Sequence, residues 1–164
     1  MSLLTLDHIR KRIREHEPAR YELRATTRQA AVAAILRERN GHTEALFILR
    51  SIKDGDPWSG HMAFPGGHLD PEDVTLRDAA ERETLEEIGL DLTNHGEFLG
   101  EIDQVRANPR GRDIDMVVTP FVYSLAQDPG ELVPNYEVAD ILWGSLHDMY
   151  TGDALTTGAF MVQG

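Results

Sequence analysis

Residues 82–90 read Arg82-Glu83-Thr84-Leu85-Glu86-Glu87-Ile88-Gly89-Leu90 and close the segment Thr75–Ile88, which carries the strongest helix signals in the chain. Thr75 can cap it, Asp78 falls in its first turn, and Gly89 stops it. At about 100° per residue, Glu83, Glu86 and Glu87 share an arc of about 100° on the helical wheel. That arc continues the stripe begun by Leu76, Ala79 and Ala80 one or two turns earlier.

Glutamates on a helix usually form a solvated face, and that reading stands beside a functional one. Two points favour function. A solvated face should not continue a Leu–Ala–Ala stripe. Like charges at i,i+3 and i,i+4 also repel by roughly 0.2–0.5 kcal/mol per pair, which a cation among them would offset. Convergent carboxylates are hard oxygen ligands suited to Mg²⁺ or Mn²⁺. Upstream, Phe64-Pro65-Gly66-Gly67 supplies two residues without a Cβ, so the backbone can pass close to a ligand or turn its carbonyls toward a metal.

Working outward, Gln29–Leu36 (QAAVAAIL) reads as a buried strand and Glu44–Leu49 as its partner, with Asn40-Gly41 as the turn. Residues 51–61 are loop by their Gly, Pro, Asp and Ser content. Met62–Phe64 is a short apolar step. Strand-like stretches follow at Glu97–Val105, Ile114–Leu125 and Glu137–Trp143, then a short helix near Ser145–Tyr150. Asp7 reads as the N-cap of a first helix that ends near His16, basic through Arg10, Lys11, Arg12 and Arg14. Strands on both sides of one strong helix predict a mixed α/β sandwich in one domain.

The 164 residues, 41% of them apolar, suffice for a core, so wholesale disorder is excluded. With 28 acidic against 16 basic residues, the net charge of −12 argues against a nucleic-acid partner. It leaves room for a small phosphorylated substrate beside a divalent cation. No cysteine is present, which excludes cysteine nucleophiles and Cys-ligated metals. No apolar run has the roughly 20 residues of a membrane span, and the first residues do not form a secretory signal. A cytoplasmic protein with no membrane or nucleic-acid partner is expected.

Gly67, five residues, Asp73, eight residues and then Arg82–Leu90 together resemble the box of the Nudix hydrolases. In that box a Gly and a Glu precede Arg-Glu-aliphatic-x-Glu-Glu-x-Gly-aliphatic. The chain departs by Asp73 for Glu, one extra residue before Arg82, and Thr84 at an aliphatic position. The acidic run Asp70-Pro71-Glu72-Asp73, the longer spacer, Arg50-Ser51 and Gly60-His61-Met62-Ala63-Phe64-Pro65-Gly66-Gly67 resemble the coenzyme A pyrophosphatase branch. An Arg of that branch falls at Gly55, and the Lys that commonly follows its Gly-Gly is His68.

The resemblance implies an α+β fold: a Nudix-type α/β/α sandwich with a mixed β-sheet and one catalytic helix, over residues 28–164. Residues 1–27 form an N-terminal helical segment packed on it. It implies metal-dependent hydrolysis of a diphosphate linkage in a nucleoside diphosphate derivative, coenzyme A first. ADP-ribose, a dinucleotide or a (d)NTP is the alternative, and a catalytically silent nucleotide-binding module the second. Glu83, Glu86, Glu87 and the Gly67 carbonyl would hold Mg²⁺ (or Mn²⁺). Arg82 would orient a box glutamate. Glu137 is the candidate for a base recruited from a later loop, or else a solvent-facing acid. Arg50, Trp58 and His68 are substrate-binding candidates: Arg50 on phosphate or paired with an acid, Trp58 stacked on adenine or packed over the sheet edge. Many relatives are dimers, so a homodimer is among the expected states. Thr156–Gly164 reads equally as a closing strand, a partner contact or a tail. Ser59-Gly60-His61 lacks the Gly-x-Ser-x-Gly elbow, and the seven histidines have no paired-ligand spacing.

Overall fold

In the computed structural model, residues 5–56, 59–107 and 115–151 are described. The long apolar run of the sequence becomes strand β1 (Arg28–Arg39), which lies inside the sheet. It turns through Asn40 and Gly41, both left-handed with φ of 52° and 78°, into antiparallel β2 (His42–Arg50). Two short strands, β3 (Met62–Ala63) and β4 (Gly66–His68), precede helix α2 (Leu76–Ile88). After the single turn α3 (Leu92–His95) come β5 (Glu97–Glu101), β6 (Val105–Ala107), β7 (Met116–Leu125) and β8 (Val138–Ser145). Helix α1 (Leu6–Glu15) opens the chain, and α4 (Leu146–Thr151) follows β8.

The sheet runs β3-β2-β1-β7-β5, with β4 on β1, β6 on β7 and β8 on β2. Among the described strands only β1 and β7 pair in parallel, from Arg28↔Met116 to Arg37↔Leu125, so the sheet is mixed, as expected. Both strands are buried on both faces, which is why they read as continuous apolar runs rather than as alternation. Ala31, Ala33 and Ile35 pack with Ala79, Ala80 and Ile88 of α2. Ala34 and Leu36 face the other way, toward Leu6, Ile9 and Ile13 of α1 and Met149 of α4. A helical layer on each side of one sheet gives the α/β/α sandwich.

Several boundaries differ from expectation for local reasons. Thr5, not Asp7, caps α1: its hydroxyl accepts from the His8 N–H, while Asp7 pairs with Arg10 at 2.8 Å. The stretch 97–105 is two strands, because β5 slips register between Phe98 and Gly100 and the chain leaves the ladder at Ile102. There Asp103 accepts from the Ala19 N–H at 2.8 Å and meets His16 at 2.7 Å, pinning the residues after α1. The α3 turn carries its own signal, Asp91 accepting from the Thr93 and Asn94 N–H groups. Trp58 and Thr156–Gly164 lie outside the described residues. Among the described residues no helix is long and apolar enough to cross a membrane.

Candidate active site

Helix α2 begins with a complete capping box, Thr75 and Asp78 each satisfying the other's backbone N–H, and ends on Gly89 at φ 72°. Its apolar stripe fixes the rotation. Ala79, Ala80 and Ile88 enter the core, and Thr84 is buried with its hydroxyl donating to the Ala80 carbonyl at 2.8 Å. That self-satisfied hydroxyl explains how Thr occupies an aliphatic position. The same rotation carries Glu87 into the interior, 1% exposed.

Glu87 accepts the Gly66 N–H on Oε1 at 2.8 Å, while its Oε2 is buried without a partner among the described residues. Burial pushes its pKa up to about 8, against the Gly66 hydrogen bond, and the negative charge of Glu83 and Glu137 adds to the rise. Glu83 is half-buried and raised in pKa for the same first reason, with Arg82 opposing and Glu86 and Glu137 reinforcing. Glu86 turns outward, its side chain 53% exposed, so the glutamate arc straddles the edge of the buried stripe instead of lying within it.

Arg82 is the hub. Its Nε and Nη2 donate to the two oxygens of Asp73, each at 3.0 Å, a fork-to-fork pair that holds the Asp73 carboxyl below the usual range. Its Nη1 donates to Glu83 at 2.9 Å and to Glu86 at 3.3 Å, and Asp70 lies 3.4 Å from Nη2. Arg82 thus bonds two box carboxylates, Glu83 and Glu86. Asp73 and Asp70 are the residues that sequence reasoning left without a role. The acidic run 70–73 before a helix carrying an arginine was the available signal.

Gly67 runs beside Glu83: a Cβ there would stand 2.7 Å from the Glu83 carboxyl carbon. Gly66 is pressed on β1, where a Cβ would meet the Ala31 carbonyl and lie 2.6 Å from the Val32 Cα. Only glycines let this backbone lie between strand and helix. Among the described residues, no three carboxylate or imidazole side chains converge as a cage, and Arg82 pairs with Glu83 and Glu86. The donor set nevertheless fits a divalent cation: hard oxygens, an orphaned Glu87 oxygen, and a cradle at Gly67 that any side chain would fill.

A cleft of about 280 Å³ opens here, and Arg50, Gly67, His68, Glu83 and Glu137 all line it. Glu137 reaches it because the Ser51 N–H binds its carbonyl at 2.9 Å, and because Asn135 just before it docks on the Glu87 carbonyl at 2.9 Å. Arg50 pairs with Asp56 at 2.8 Å, yet its Nε is buried without a partner among the described residues. His68 lies in the mouth, where partial desolvation and then the Arg28 and Arg50 cations push its pKa down.

A model of the NUDIX domain matches residues 27–161. The chain belongs to the Nudix family. An uncharacterized Schizosaccharomyces pombe protein is 37% identical over 113 residues, 68% of this chain and 34% of that one. Human mitochondrial coenzyme A diphosphatase NUDT8 is 41% identical over 68 residues, 42% of this chain and 29% of the relative. The chain thus aligns with about a third of the length of the curated relatives it matches. Among solved structures, a Caenorhabditis elegans Ap4A hydrolase binary complex superposes with TM-score 0.63 at 23% identity, covering 80% of this chain and 90% of that one. The Nudix domain of Shewanella oneidensis NrtR, complexed with ADP ribose, gives 0.58 at 19% identity over 86% and 85%. At such identities the likeness is one of Nudix fold.

Proposed function

We propose that this Nudix protein is a metal-dependent pyrophosphohydrolase that splits the diphosphate linkage of a nucleoside diphosphate derivative, with coenzyme A or a derivative of it as the leading substrate. The observation that carries the reading is the gathering of Glu83, Glu137 and Arg50 around one cleft, with Glu87 buried behind its Gly66 wall and a Glu87 oxygen left unpaired among the described residues. A fold that buried acids only for stability would satisfy them.

Glu83, Glu86, Glu87 and the Gly67 carbonyl would hold the Mg²⁺ or Mn²⁺. When bound, such an ion polarises phosphoryl oxygens and lowers the pKa of water. Arg82 holds Glu83 in place through the 2.9 Å bond and is itself braced by Asp73. Arg50, which lines the cleft, offers its guanidinium to a phosphoryl oxygen. Glu137 takes a proton at its carboxylate from the attacking water. The water oxygen bonds to one phosphorus as the bridging P–O bond breaks, and the leaving phosphate carries the electron pair away, giving two phosphomonoesters.

The match to a coenzyme A diphosphatase and the run Asp70–Asp73 favour coenzyme A. The fold shared with the ADP-ribose-bound domain keeps ADP-ribose as the second reading. The deciding experiment is product chromatography with Mg²⁺ against coenzyme A, ADP-ribose, diadenosine polyphosphates and dNTPs, with Glu86→Gln alongside. Coenzyme A cut to 3′,5′-ADP and phosphopantetheine, with the variant inactive, is the expected result. Preference for a substrate lacking the 3′-phosphate overturns the coenzyme A assignment. An active Glu86→Gln overturns the site assignment, and a wild type that cuts nothing in the panel overturns the hydrolase reading.

A further inference from the structure

The arginines around the cleft are not alike. Among the described residues, Arg50 pairs with Asp56 at 2.8 Å, Arg82 with Asp73 at 3.0 Å and Arg106 with Asp115 at 3.3 Å. Arg28, the first residue of β1, has no carboxylate partner among them. The acid nearest to it along the ladder is Asp115, whose carbonyl accepts the Arg28 N–H at 2.8 Å. Both carboxyl oxygens of Asp115 are taken, one by Thr27 at 2.7 Å and the other by Arg106.

Strand alternation fixes the side to which Arg28 projects. Ala30 and Val32 line the cleft, and residues two apart on a strand share a face. Met116, another lining residue, is the partner of Arg28 in the parallel ladder, and His68 is the partner of Ala30. Arg28 therefore continues the row of Ala30 and Val32 at the outer end of the floor. Its charge reaches His68, whose pKa is lowered by desolvation first and by Arg28 next. Gly67 pairs with Ala31, three residues along β1 from Arg28, a span of about 10 Å.

An exposed arginine is commonly a solvated one, and the setting argues against that here. The chain carries a net charge of −12, and Asp70, Glu83 and Glu137 line the same cleft. Asp70, whose charge also reaches His68, pairs with Arg82 at 3.4 Å. Arg28 is thus a cation kept apart from acids that the chain holds in excess. Its planar fork matches carboxylates and phosphates alike. A carboxylate spends both oxygens on that fork. A terminal phosphate keeps a third for the His68 ring and carries a charge of about −1.5 to −2 at neutral pH.

We propose that Arg28, with His68 beside it, binds a terminal phosphate group of the nucleotide at the outer end of the cleft, about 10 Å from Gly67. The proposal takes the place of the diphosphate from the pyrophosphohydrolase reading and rests on it to that extent. It adds a specificity-determining residue outside the helix and the glycine pair. The phosphate could stand on a ribose hydroxyl or at the end of a phosphate chain, and the ligands of the test separate these sources.

The test is calorimetry on the full chain in Mg²⁺, with AMP as the reference and 3′,5′-ADP, 2′,5′-ADP and ADP as ligands that each add one phosphate. Wild type should bind at least one of the three about ten- to thirtyfold more tightly than AMP, as expected for hydrogen bonds to a charged group. Preference for either ribose bisphosphate puts the phosphate on the sugar, and preference for ADP alone puts it at the chain end. Arg28→Ala should erase the preference and leave AMP binding as it was. Arg28→Lys keeps the charge but lacks the fork, so it should retain part of the preference. Equal affinity for all four ligands in wild type overturns the inference. So does an Arg28→Ala variant that keeps the preference or weakens AMP to the same degree. Hydrolysis of diphosphate substrates without the preference leaves the hydrolase reading standing, whereas the preference without hydrolysis keeps the subsite and sinks that reading.

Discussion

Arg77 and Arg82 stand on the same helix, and each is the centre of a polar network, but the two networks differ in charge balance. Arg77 meets one carboxylate: it donates to Glu81 at 3.3 Å, lies 3.8 Å over the Phe98 ring, and shares the Tyr123 hydroxyl, which donates to Glu81 at 2.7 Å. Arg82 meets Asp70, Asp73, Glu83 and Glu86, and Glu83 in turn feels the charge of Glu137. One cation against one anion is a closed structural unit. One cation against four carboxylates leaves negative charge that the protein does not neutralise. The excess marks the place where something positive belongs.

The comparison can be broken by removing charge from each network. Glu83→Gln or Glu86→Gln should lower kcat by about 10²–10³-fold, the cost of losing one preorganised electrostatic contact, with stability unchanged or raised; steady-state kinetics and melting curves read both. Arg82→Lys keeps the charge but cannot fork across Asp73, Glu83 and Glu86. It should cost about 10–100-fold in activity or metal affinity, with a higher Mg²⁺ requirement as its signature.

Glu87 sharpens the contrast through pH. Its folded pKa of about 8 lies above its ordinary value of 4.5, so the metal-free fold binds the extra proton that the unfolded chain releases. Its contribution is fully present below about pH 4.5 and is lost as pH rises through 8. Glu87→Gln should therefore melt higher than wild type without metal at pH 8, with the gap closing toward pH 5. Saturating Mg²⁺ should reverse the order, because only the carboxylate gains from the ion. Tyr123→Phe should have the smallest effect. It loses the bonds to Glu81 and Arg77, costs about 1–3 kcal/mol of stability, and leaves kcat within twofold; a large kinetic effect would mean that the Arg77 network reaches the reaction.

The helix, its caps, the three glutamates and the arginine that bonds two of them were legible because they lie within one segment with a fixed period. The wheel placed all three glutamates on the arc of the apolar stripe; the burial of Glu87 agrees with that, while Glu86 turns to the solvent side. Glu137 was visible as an acid preceding a strand. Its arrival beside Glu83 depends on Asn135 and Ser51 bonds made across the fold. The partnership of Arg82 with Asp73 was not read, because a wheel drawn for α2 says nothing about the turn before it.

By itself, then, the sequence determined what local periodicity and residue chemistry can carry: a capped helix, a glycine pair, buried strands, and a set of carboxylates without cysteine or zinc spacing. Only the tertiary structure decided which carboxylate is desolvated, and which arginine nitrogen lacks a partner among the described residues. Those properties come from pairings such as Ala30 with His68 and Val118, residues 38 or more positions away along the chain. Burial and dielectric are set by everything packed around a group, and a linear pattern reports only its neighbours in sequence.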